Sequence, residues 1–423
     1  MNWLAAGVIM ALALVGTPIY ALMGGLALWL FHGAGIDASA VIIALNRLAD
    51  MPSLIAVPLF TFAGYMLAES RAPHRLVALA EASLGWMPGG VAIGGLAACA
   101  MFTAFTGASG VTIIALGGLI YPLLRKQNYP EGFSLGLVTT TGSLGLLFPP
   151  SLPIILYALV GKVSVDKLFA AAAMPGVILM LLLSLYAILI AKRHSVPRIP
   201  FSRVKLFEAV RAAAWEIPLP FLIVGGIYGG LFTASEAAAV MCFYVFVVEA
   251  LVYRDLPIRQ IPGVMVRSMV LVGAILIVLG TALGLTDYMI DAEIPARIFE
   301  TLNLHIKSPW GFLALLNVFL LVVNMIEIFS AIIIVVPIIV PVALRYHIDP
   351  IHLGALFLLN LEIGYMTPPL GLNLFLSSRR FEKPLPELYR ATLPFWLALL
   401  AALALVTYVP DVSLWLPRAL KIQ

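Results

Sequence analysis

Two short stretches decide the fold: Gly145-Leu-Leu-Phe-Pro149-Pro150 and Gly364-Tyr-Met-Thr-Pro368-Pro369. Each places a glycine four residues before a pair of prolines, and one shift along the chain relates the two (364 − 145 = 219). The same shift carries Pro122 to Pro341. Several features that recur at one spacing indicate an internal repeat. The sequence therefore predicts two related halves, each with one interrupted apolar helix.

The composition is that of a membrane protein. Of the 423 residues, 62% are hydrophobic and 11% are charged, whereas a soluble domain has about 25% charged residues. Runs long enough to span a bilayer, about 20 apolar residues each, recur from end to end. We therefore expect a single membrane domain over 1–423. The predicted membrane-embedded segments are 3–15, 17–32, 52–69, 91–122, 133–161, 173–191, 217–232, 235–252, 268–290, 310–344, 352–378 and 392–409.

The sequence supports four further expectations. The first apolar run has no basic region before it, so we interpret it as a retained helix and not as a secretory signal. Cys99 and Cys242 lie in apolar surroundings, which predicts small core residues without a disulfide. We expect no cofactor. Glu236 opens an apolar helix, and we expect it to cap that helix.

Charge patterning suggests how the halves are arranged. The first repeat is predicted at 1–191, a basic cytoplasmic linker at 192–215 and the second repeat at 216–423. The loops 192–211, 254–267 and 379–390 are basic, which is typical of cytoplasmic loops. If each half crosses an odd number of times, the repeats are inverted relative to each other and both termini are periplasmic.

The paired interruptions point to transport. Lipid offers no partners for backbone groups, so broken helices at membrane depth occur only inside protein or beside water. Proline removes an N–H donor and disfavours helix before it. The freed helix ends suit ions: N-terminal ends attract anions, and free carbonyls attract cations. A packing kink is the alternative for either break alone. Corresponding breaks in both halves favour a transporter binding site.

Polar side chains near the breaks supply oxygen ligands for a hard cation such as sodium. A single Ser or Thr more often bonds the carbonyl one turn back, so the prediction rests on the group. Glu327 and Glu362 are carboxylates in apolar segments, where a charge is by default functional. Glu327 could balance a cation, orient a polar tip, carry a proton or accept backbone N–H groups, and Glu362 could cap the broken helix from within. The predicted ion- and substrate-binding residues are Thr106, Gly107, Ser109, Thr112, Thr141, Ser143, Gly145, Pro149, Pro150, Glu327, Ser330, Asn360, Glu362, Gly364, Thr367, Pro368, Pro369 and Asn373.

Basic side chains are absent from these segments. No Lys or Arg occurs within 88–124, 132–161 or 352–378. If the substrate is an organic anion, its charge there must be met by helix ends, hydroxyls and a bound cation. Ion coupling then follows, because sodium supplies the positive charge that the protein lacks.

At these motifs the chain closely resembles the large membrane subunit of the TRAP (tripartite ATP-independent periplasmic) transporters, which are DctM- and SiaM-like proteins of the ion-transporter superfamily. The resemblance covers essentially the whole chain. The stretches that carry it are Pro58-Leu-Phe-Thr-Phe-Ala-Gly64, Gly107-Ala-Ser-Gly-Val-Thr112, Thr141-Gly-Ser-Leu-Gly-Leu-Leu-Phe-Pro-Pro150, Asn360-Leu-Glu-Ile-Gly-Tyr-Met-Thr-Pro-Pro-Leu-Gly-Leu-Asn373 and Thr233-Ala-Ser-Glu-Ala-Ala-Ala239.

The resemblance implies an all-α polytopic fold with two inverted structural repeats, re-entrant helical hairpins and two discontinuous helices, working as an elevator. Hairpins at 91–122 and about 312–341 would place tips at 106–110 and 326–330 against the unwound segments 145–150 and 364–369. It further implies sodium-coupled import of a small organic anion, a carboxylate such as a sugar acid or a C4-dicarboxylate, across the bacterial inner membrane. Sodium would lie near Ser109, Gly145, Ser330, Gly364 and Thr367.

The implied partners are a small four-helix membrane subunit and a periplasmic substrate-binding protein. The chain also departs from the family pattern. The first tip has Ala108 where the family usually has Ser, and Gly110 precedes Val111. Glu327 stands where Asp is common. These changes leave the fold prediction intact but leave the number and ligands of the sodium sites open.

Three other functions are alternatives to a tripartite transporter. A stand-alone ion-coupled carrier of the same superfamily would work without a binding protein, and a channel would conduct passively. An enzyme is disfavoured, because the six histidines are scattered and form no His-Glu-x-x-His motif, and no nucleophile-plus-base arrangement stands out. The sequence therefore predicts a secondary transporter.

Overall fold

The computed structural model describes residues 11–12, 15–48, 50–323, 328–369, 371–420 and 422, and this part of the chain is helical without strands. The helices of the first half are α1 Ile19–Gly33, α2 Ser39–Asn46, α3 Ala56–Glu69, α4 Ala72–Leu84, α5 Gly90–Thr106, α6 Ser109–Thr112, α7 Gly118–Lys126, α8 Glu131–Leu144, α9 Leu152–Gly161, α10 Val165–Arg193 and α11 Arg203–Ala212. The helices of the second half are α12 Pro218–Tyr228, α13 Ala234–Phe246, α14 Ile261–Asp291, α15 Ile294–Asn303, α16 Pro309–Val323, α17 Ile328–Arg345, α18 Pro350–Gly364, α19 Leu372–Phe381, α20 Leu385–Tyr408 and α21 Asp411–Ala419.

Six helices of the described chain are long and apolar enough to cross a membrane, or seven if the bent pair Glu131–Leu147 and Leu152–Gly161 counts as one span. Shorter helices between them include α5, α16 and α18. Local chemistry sets many helix starts: Pro218, Pro295 and Pro350 lie in the first turn, where proline needs no N–H partner and its φ suits the helix.

The helix bounds recur at the shift that relates the two breaks. The shift of 219 residues carries the start of α8, Glu131, to the start of α18, Pro350, and the end of α7, Lys126, to the end of α17, Arg345. The helical Pro122 and Pro175 correspond to Pro341 and Pro394, which also lie inside helices. The division at 1–191, 192–215 and 216–423 stays a prediction.

Helices from the two halves pack on each other in matched pairs. α1 of the first half packs on α14 of the second half. The counterpart of α1 is α13, and the counterpart of α14 is α3; these two helices also pack on each other. In the same way α8 packs on α20, and α18 packs on α10. This exchange of partners is what two similar halves produce when they enclose one core, so α8 and α18, which lead into the breaks, lie inside the protein.

The predicted spans agree with the helices in position but not always in extent. The helix predicted at 173–191 is Val165–Arg193, and the one predicted at 392–409 is Leu385–Tyr408. Charged residues in their first turns had lowered the local hydropathy. The predicted segment 3–15 lies almost wholly outside the described residues. The basic linker 192–215 contains the helix α11, and Glu236 forms a capping box with Thr233 at the start of α13.

An ion cluster joins α4, which leads into α5, to the second half. Arg75 donates hydrogen bonds to Glu216, to Asp255 over 2.5 Å and to both carboxylate oxygens of Glu249 over 3.1 Å. Its guanidinium lies 3.9 Å from the ring centroid of Tyr253. Burial raises the pKa of Tyr253 to about 12. Burial also raises the pKa of Glu216, an effect that Arg75 opposes. The cluster therefore ties the first turn of α4 to the second half.

Candidate functional site

The first hairpin turns sharply at Gly107. α5 ends at Thr106, Gly107 adopts a left-handed conformation with φ +63°, and Ala108 is extended before α6 begins at Ser109. A Cβ at Gly107 would lie 2.5 Å from Leu152 in the first turn of α9. Glycine is therefore required here both for the left-handed turn and for the close approach. The tip predicted at 106–110 meets the helix that follows the first break.

The first break separates α8 from α9, and the direction of the chain changes by 44° between these helices. A 3₁₀ turn, Gly145–Leu147, follows α8, Phe148 is extended and the Pro149–Pro150 peptide bond is cis. A Cβ at Gly145 would lie 2.2 Å from the carbonyl oxygen of Ala100 on the hairpin. The unwound segment is thus held directly against the backbone of α5.

A hydroxyl cluster ties the hairpin to α8. Oγ1 of Thr103 is 2.7 Å from Oγ1 of Thr112 on the other arm of the hairpin. The same oxygen is within hydrogen-bonding distance of the carbonyls of Cys99, at 2.8 Å, and Gly142, at 3.0 Å. Thr103 was not predicted from the sequence as a site residue, although its spacing of three residues from Thr106 places both on the inner side of the tip. Thr112 therefore serves the hairpin's own structure.

A tight contact from outside the hairpin supports the same tip. In α3, a Cβ at Gly64 would lie 2.5 Å from the carbonyl oxygen of Phe105 and 2.6 Å from Cα of Thr106. The stretch Pro58–Gly64 that carries part of the family resemblance thus contacts the end of α5. Close packing by small residues is the usual way that membrane helices approach each other.

The second break lies between α18 and α19. Tyr365–Pro369 forms turns, and the Pro368–Pro369 peptide bond is cis, like its counterpart. Oγ1 of Thr367 donates to the carbonyl of Ile363 over 2.9 Å and accepts from Nε1 of Trp396 over 3.1 Å. Pro368 and Pro369 are exposed, whereas Pro150 is buried and Pro149 is half-buried. The two breaks therefore share a local geometry but differ in how far they are covered.

The predicted second tip is only partly described. Asn324 and Glu327 lie outside the described residues, so the prediction for Glu327 is not placed. Ser330 lies in the first turn of α17 and is half-buried. Asn360 of α18 donates from Nδ2 to Oδ1 of Asn317 on α16 over 2.8 Å. The first arm of the second hairpin region thus contacts the helix that precedes the second break.

Three predicted site residues from the two halves meet in the core. Asn373, at the start of α19, donates from Nδ2 to Oγ of Ser143 over 2.9 Å and to the carbonyl of Thr139 over 3.1 Å. Ser143 in turn neighbours the carboxyl group of Glu362. All three side chains are 0% exposed. The structure therefore brings the end of α8 together with both sides of the second break.

Several buried oxygens in this region make no hydrogen bond of normal geometry with any described residue. The carboxylate oxygens of Glu362 are two of them, although burial of such a group without a partner is costly. The others near the breaks and the first tip are Oγ1 of Thr106, Thr140 and Thr141, Oγ of Ser151, and Oδ1 of Asn360 and Asn373. A dehydrated cation could be coordinated by such unsatisfied, buried oxygens, and a proton could neutralise a carboxylate among them.

Most of the predicted residues fall into three groups. Thr106, Thr141, Asn360, Glu362 and Asn373 combine burial with an oxygen available to a ligand. Ser109 is buried at the start of α6, and Ser143 is buried in the Asn373 contact. The remaining glycines and prolines shape the backbone. Among the described residues, no three His, Cys, Asp or Glu side chains are grouped to hold a metal ion. Ser151 was not among the predicted site residues.

Comparisons with known proteins place this geometry in a family. Residues 5–412 match the DctM component of the tripartite ATP-independent periplasmic transporters. The C4-dicarboxylate TRAP transporter large permease protein DctM of Pseudomonas aeruginosa is 37% identical over 401 residues, which are 94% of this chain and 93% of that protein. The ectoine/5-hydroxyectoine TRAP transporter large permease protein UehC of Ruegeria pomeroyi is 32% identical over 366 residues, 86% of each. In fold, the chain is similar to the YdaH transporter of Alcanivorax borkumensis, with a TM-score of 0.61, 14% identity and coverage of 90% of this chain and 88% of that one.

Proposed function

The chain belongs to the DctM component family of the tripartite ATP-independent periplasmic transporters, and we propose that it couples sodium entry to the import of a small organic anion. As a large permease subunit, it is a multi-pass protein of the bacterial inner membrane and a transporter component, not an enzyme. The resemblance seen in the five motif stretches is thereby confirmed, and so is the helical membrane fold.

The single observation that carries the proposal is the meeting of Glu362, Ser143 and Asn373. Their fully buried oxygens join the two breaks, and both carboxylate oxygens of Glu362 make no normal hydrogen bond with a described residue. Sodium prefers oxygen ligands, and a carboxylate in the core is stabilised by a cation. Thr141 and Asn360 add further oxygens close in sequence to the same elements.

The proposed substrate is a carboxylate, such as a sugar acid or a C4-dicarboxylate. The charge pattern supports an anion bound with sodium, because 88–124, 132–161 and 352–378 contain no Lys or Arg. Helix N-terminal ends at α9 and α19, which follow the breaks, would face its negative charge. The names of the relatives include different substrates, so family membership alone does not identify the substrate.

We place the movement between two groups of helices, as in an elevator. One group holds the hairpin α5–α7 with both broken helices. The contacts between the hairpin and the first break at Gly107 and Gly145 are too close for a Cβ. The other holds α1, α3, α13 and α14, which pack on one another, and the close contact of Gly64 in α3 with the end of α5 lies on the boundary between the two groups. The proposed partners are a small four-helix membrane subunit and a periplasmic binding protein that delivers the substrate.

The test is uptake by purified protein in proteoliposomes. Radiolabelled C4-dicarboxylates and sugar acids would be offered with and without an inward sodium gradient, with the small subunit and the binding protein each present or omitted. We expect uptake only with sodium and both partners. Uptake by this chain alone would instead support a stand-alone carrier, and sodium-independent flux would overturn the coupling proposal.

A further inference from the structure

The helix α11 presents an apolar face that nothing in the described chain covers. Val204, Phe207 and Val210 are 67%, 69% and 39% exposed. Residues three apart lie on one side of a helix, so the three side chains form a continuous strip. Each large apolar side chain kept in water forgoes about 1.5–3 kcal/mol of burial energy. Water is therefore an unfavourable neighbour for this strip.

The opposite edge of α11 is anchored. Ala209 is buried, and α11 packs along α4. Just before α11, the N–H of Ile199 donates to the carbonyl of Gly85 at the end of α4 over 3.0 Å. At its C-terminal end, the hydroxyl of Tyr253 donates to the carbonyl of Ala212 over 2.6 Å. The helix is thus held in place by one edge, with its apolar strip turned away from that contact.

Charge identifies the environment of the strip. Residues 192–211 contain six Lys or Arg and one Glu. Arg203 and Arg211 are exposed on α11 close to the strip, and arginine side chains reach past apolar surface to place their charge at a headgroup. Trp86 and Trp215, 49% and 46% exposed, lie at the two ends of this region. Tryptophan is enriched at the level of lipid headgroups.

We propose that α11 is an interfacial helix that binds anionic phospholipid of the cytoplasmic leaflet. Val204, Phe207 and Val210 enter the boundary between headgroups and acyl chains, and Arg203 and Arg211 contact lipid phosphates. A basic helix with one apolar strip binds membranes in this way. Because α11 lies along α4, lipid binding also fixes the level of α4 and the first hairpin relative to the membrane. The inference does not depend on the proposed sodium coupling.

The test uses the full chain in nanodiscs, with Cys99 and Cys242 replaced by alanine. Spin labels are attached to Phe207→Cys and, as a matched control one residue along the helix, Glu208→Cys. Oxygen concentrates in lipid and a nickel chelate concentrates in water, so their effects on each label report its depth. We expect the label at 207 to favour oxygen and the label at 208 to favour nickel. Nickel access at 207 equal to that at 208 would overturn the proposal, and protection from both reagents at 207 would indicate a protein partner and also overturn it.

The role of lipid charge is tested by varying the lipid. With phosphatidylglycerol replaced by phosphatidylcholine, the label at 207 should become more accessible to nickel. In an R203Q/R211Q variant, the apparent affinity for phosphatidylglycerol should fall by about fivefold per removed charge. Monodisperse elution and an unchanged signal from a label at a buried-helix position verify folding. Depth at 207 that is indifferent to lipid charge would overturn anionic recognition.

Discussion

Asn373 donates a hydrogen bond from Nδ2 to Oγ of Ser143 over 2.9 Å. The contact links α19, which follows the second break, to α8, which precedes the first. The two residues are 230 positions apart in the chain, yet both are 0% exposed. The helix ends that flank the two breaks are therefore in direct contact, and the energetics of this contact can be measured.

Asn373→Ala should destabilise the protein. The change removes two donated hydrogen bonds and leaves buried acceptors behind, a loss of about 1–3 kcal/mol. Ser143→Ala removes one of the same bonds, so in a double-mutant cycle the two changes should be non-additive by about 0.5–1.5 kcal/mol. Thermal unfolding in detergent, calibrated with denaturant, measures both. Strict additivity would show that the two side chains do not interact.

Glu362→Gln should weaken sodium dependence. The substitution keeps the shape of the side chain but removes the negative charge that a cation would meet. Loss of one charge-assisted contact, about 1.5–3 kcal/mol, corresponds to at least about a tenfold rise in the sodium concentration for half-maximal uptake. The measurement is initial uptake rate in proteoliposomes against sodium concentration.

Glu300→Gln is the matched control for this experiment. Glu300 is exposed on α15, so its substitution removes the same charge far from any core contact. It should leave the sodium dependence unchanged. If Glu362→Gln behaved like this control while remaining folded, the buried carboxyl group would be a structural or protonated group and not a cation ligand.

Gly145→Ala should disrupt the first break. Its Cβ would lie 2.2 Å from the carbonyl oxygen of Ala100 and 2.5 Å from the backbone nitrogen of Ala104, and backbone cannot yield as a flexible side chain can. Overpacking of this kind typically costs about 1–3 kcal/mol, and it would also displace the hairpin from the site. We expect lower thermal stability together with a loss of uptake.

Gly132→Ala provides the comparison within α8. No atom lies within 4 Å of a Cβ at that position, and alanine favours a helix over glycine by about 0.5–1 kcal/mol. The variant should therefore be at least as stable as the parent protein and fully active. Equal tolerance of alanine at Gly145 and Gly132 would contradict the close approach between the first break and the hairpin.

The breaks and the main helices could be predicted because their signals are local. Proline and glycine act on their own neighbours, so Pro149–Pro150 and Pro368–Pro369 mark the interruptions directly, and apolar runs mark the spans. The short helices α4, α11 and α15 were missed as elements. They carry charged residues among the apolar ones, and a search for long apolar runs does not detect them. Their helical form depends on packing beside the membrane domain.

Within the candidate site, residue type could be predicted but pairing could not. Buried Thr and Asn in an apolar segment predict polar contacts, and Asn373 and Ser143 were both selected on this ground. The partner of each depends on how two distant segments pack. Thr103 was missed because a lone threonine in an apolar helix has the same local pattern as one that bonds its own backbone. Only the fold shows that its oxygen also meets Thr112 and Gly142.

Arg75→Lys should destabilise the protein strongly, although it keeps the positive charge. The guanidinium contacts Glu216, Glu249 and Asp255 from different nitrogens, and a lysine ammonium cannot reproduce that planar arrangement. Carboxylates left buried without a partner cost about 3–5 kcal/mol.

Arg71→Lys, on an exposed residue beside the same helix, should change stability by less than about 0.5 kcal/mol. Adding Glu249→Gln to an Arg75→Gln variant should recover part of the loss, because it removes one unpaired charge. The measurement is thermal unfolding of the four variants. Equal stability of Arg75→Lys and Arg71→Lys would show that the cluster does not hold α4. A large loss of stability in Arg75→Lys, with partial recovery on adding Glu249→Gln to Arg75→Gln, would show that the cluster anchors the helix leading into the first hairpin.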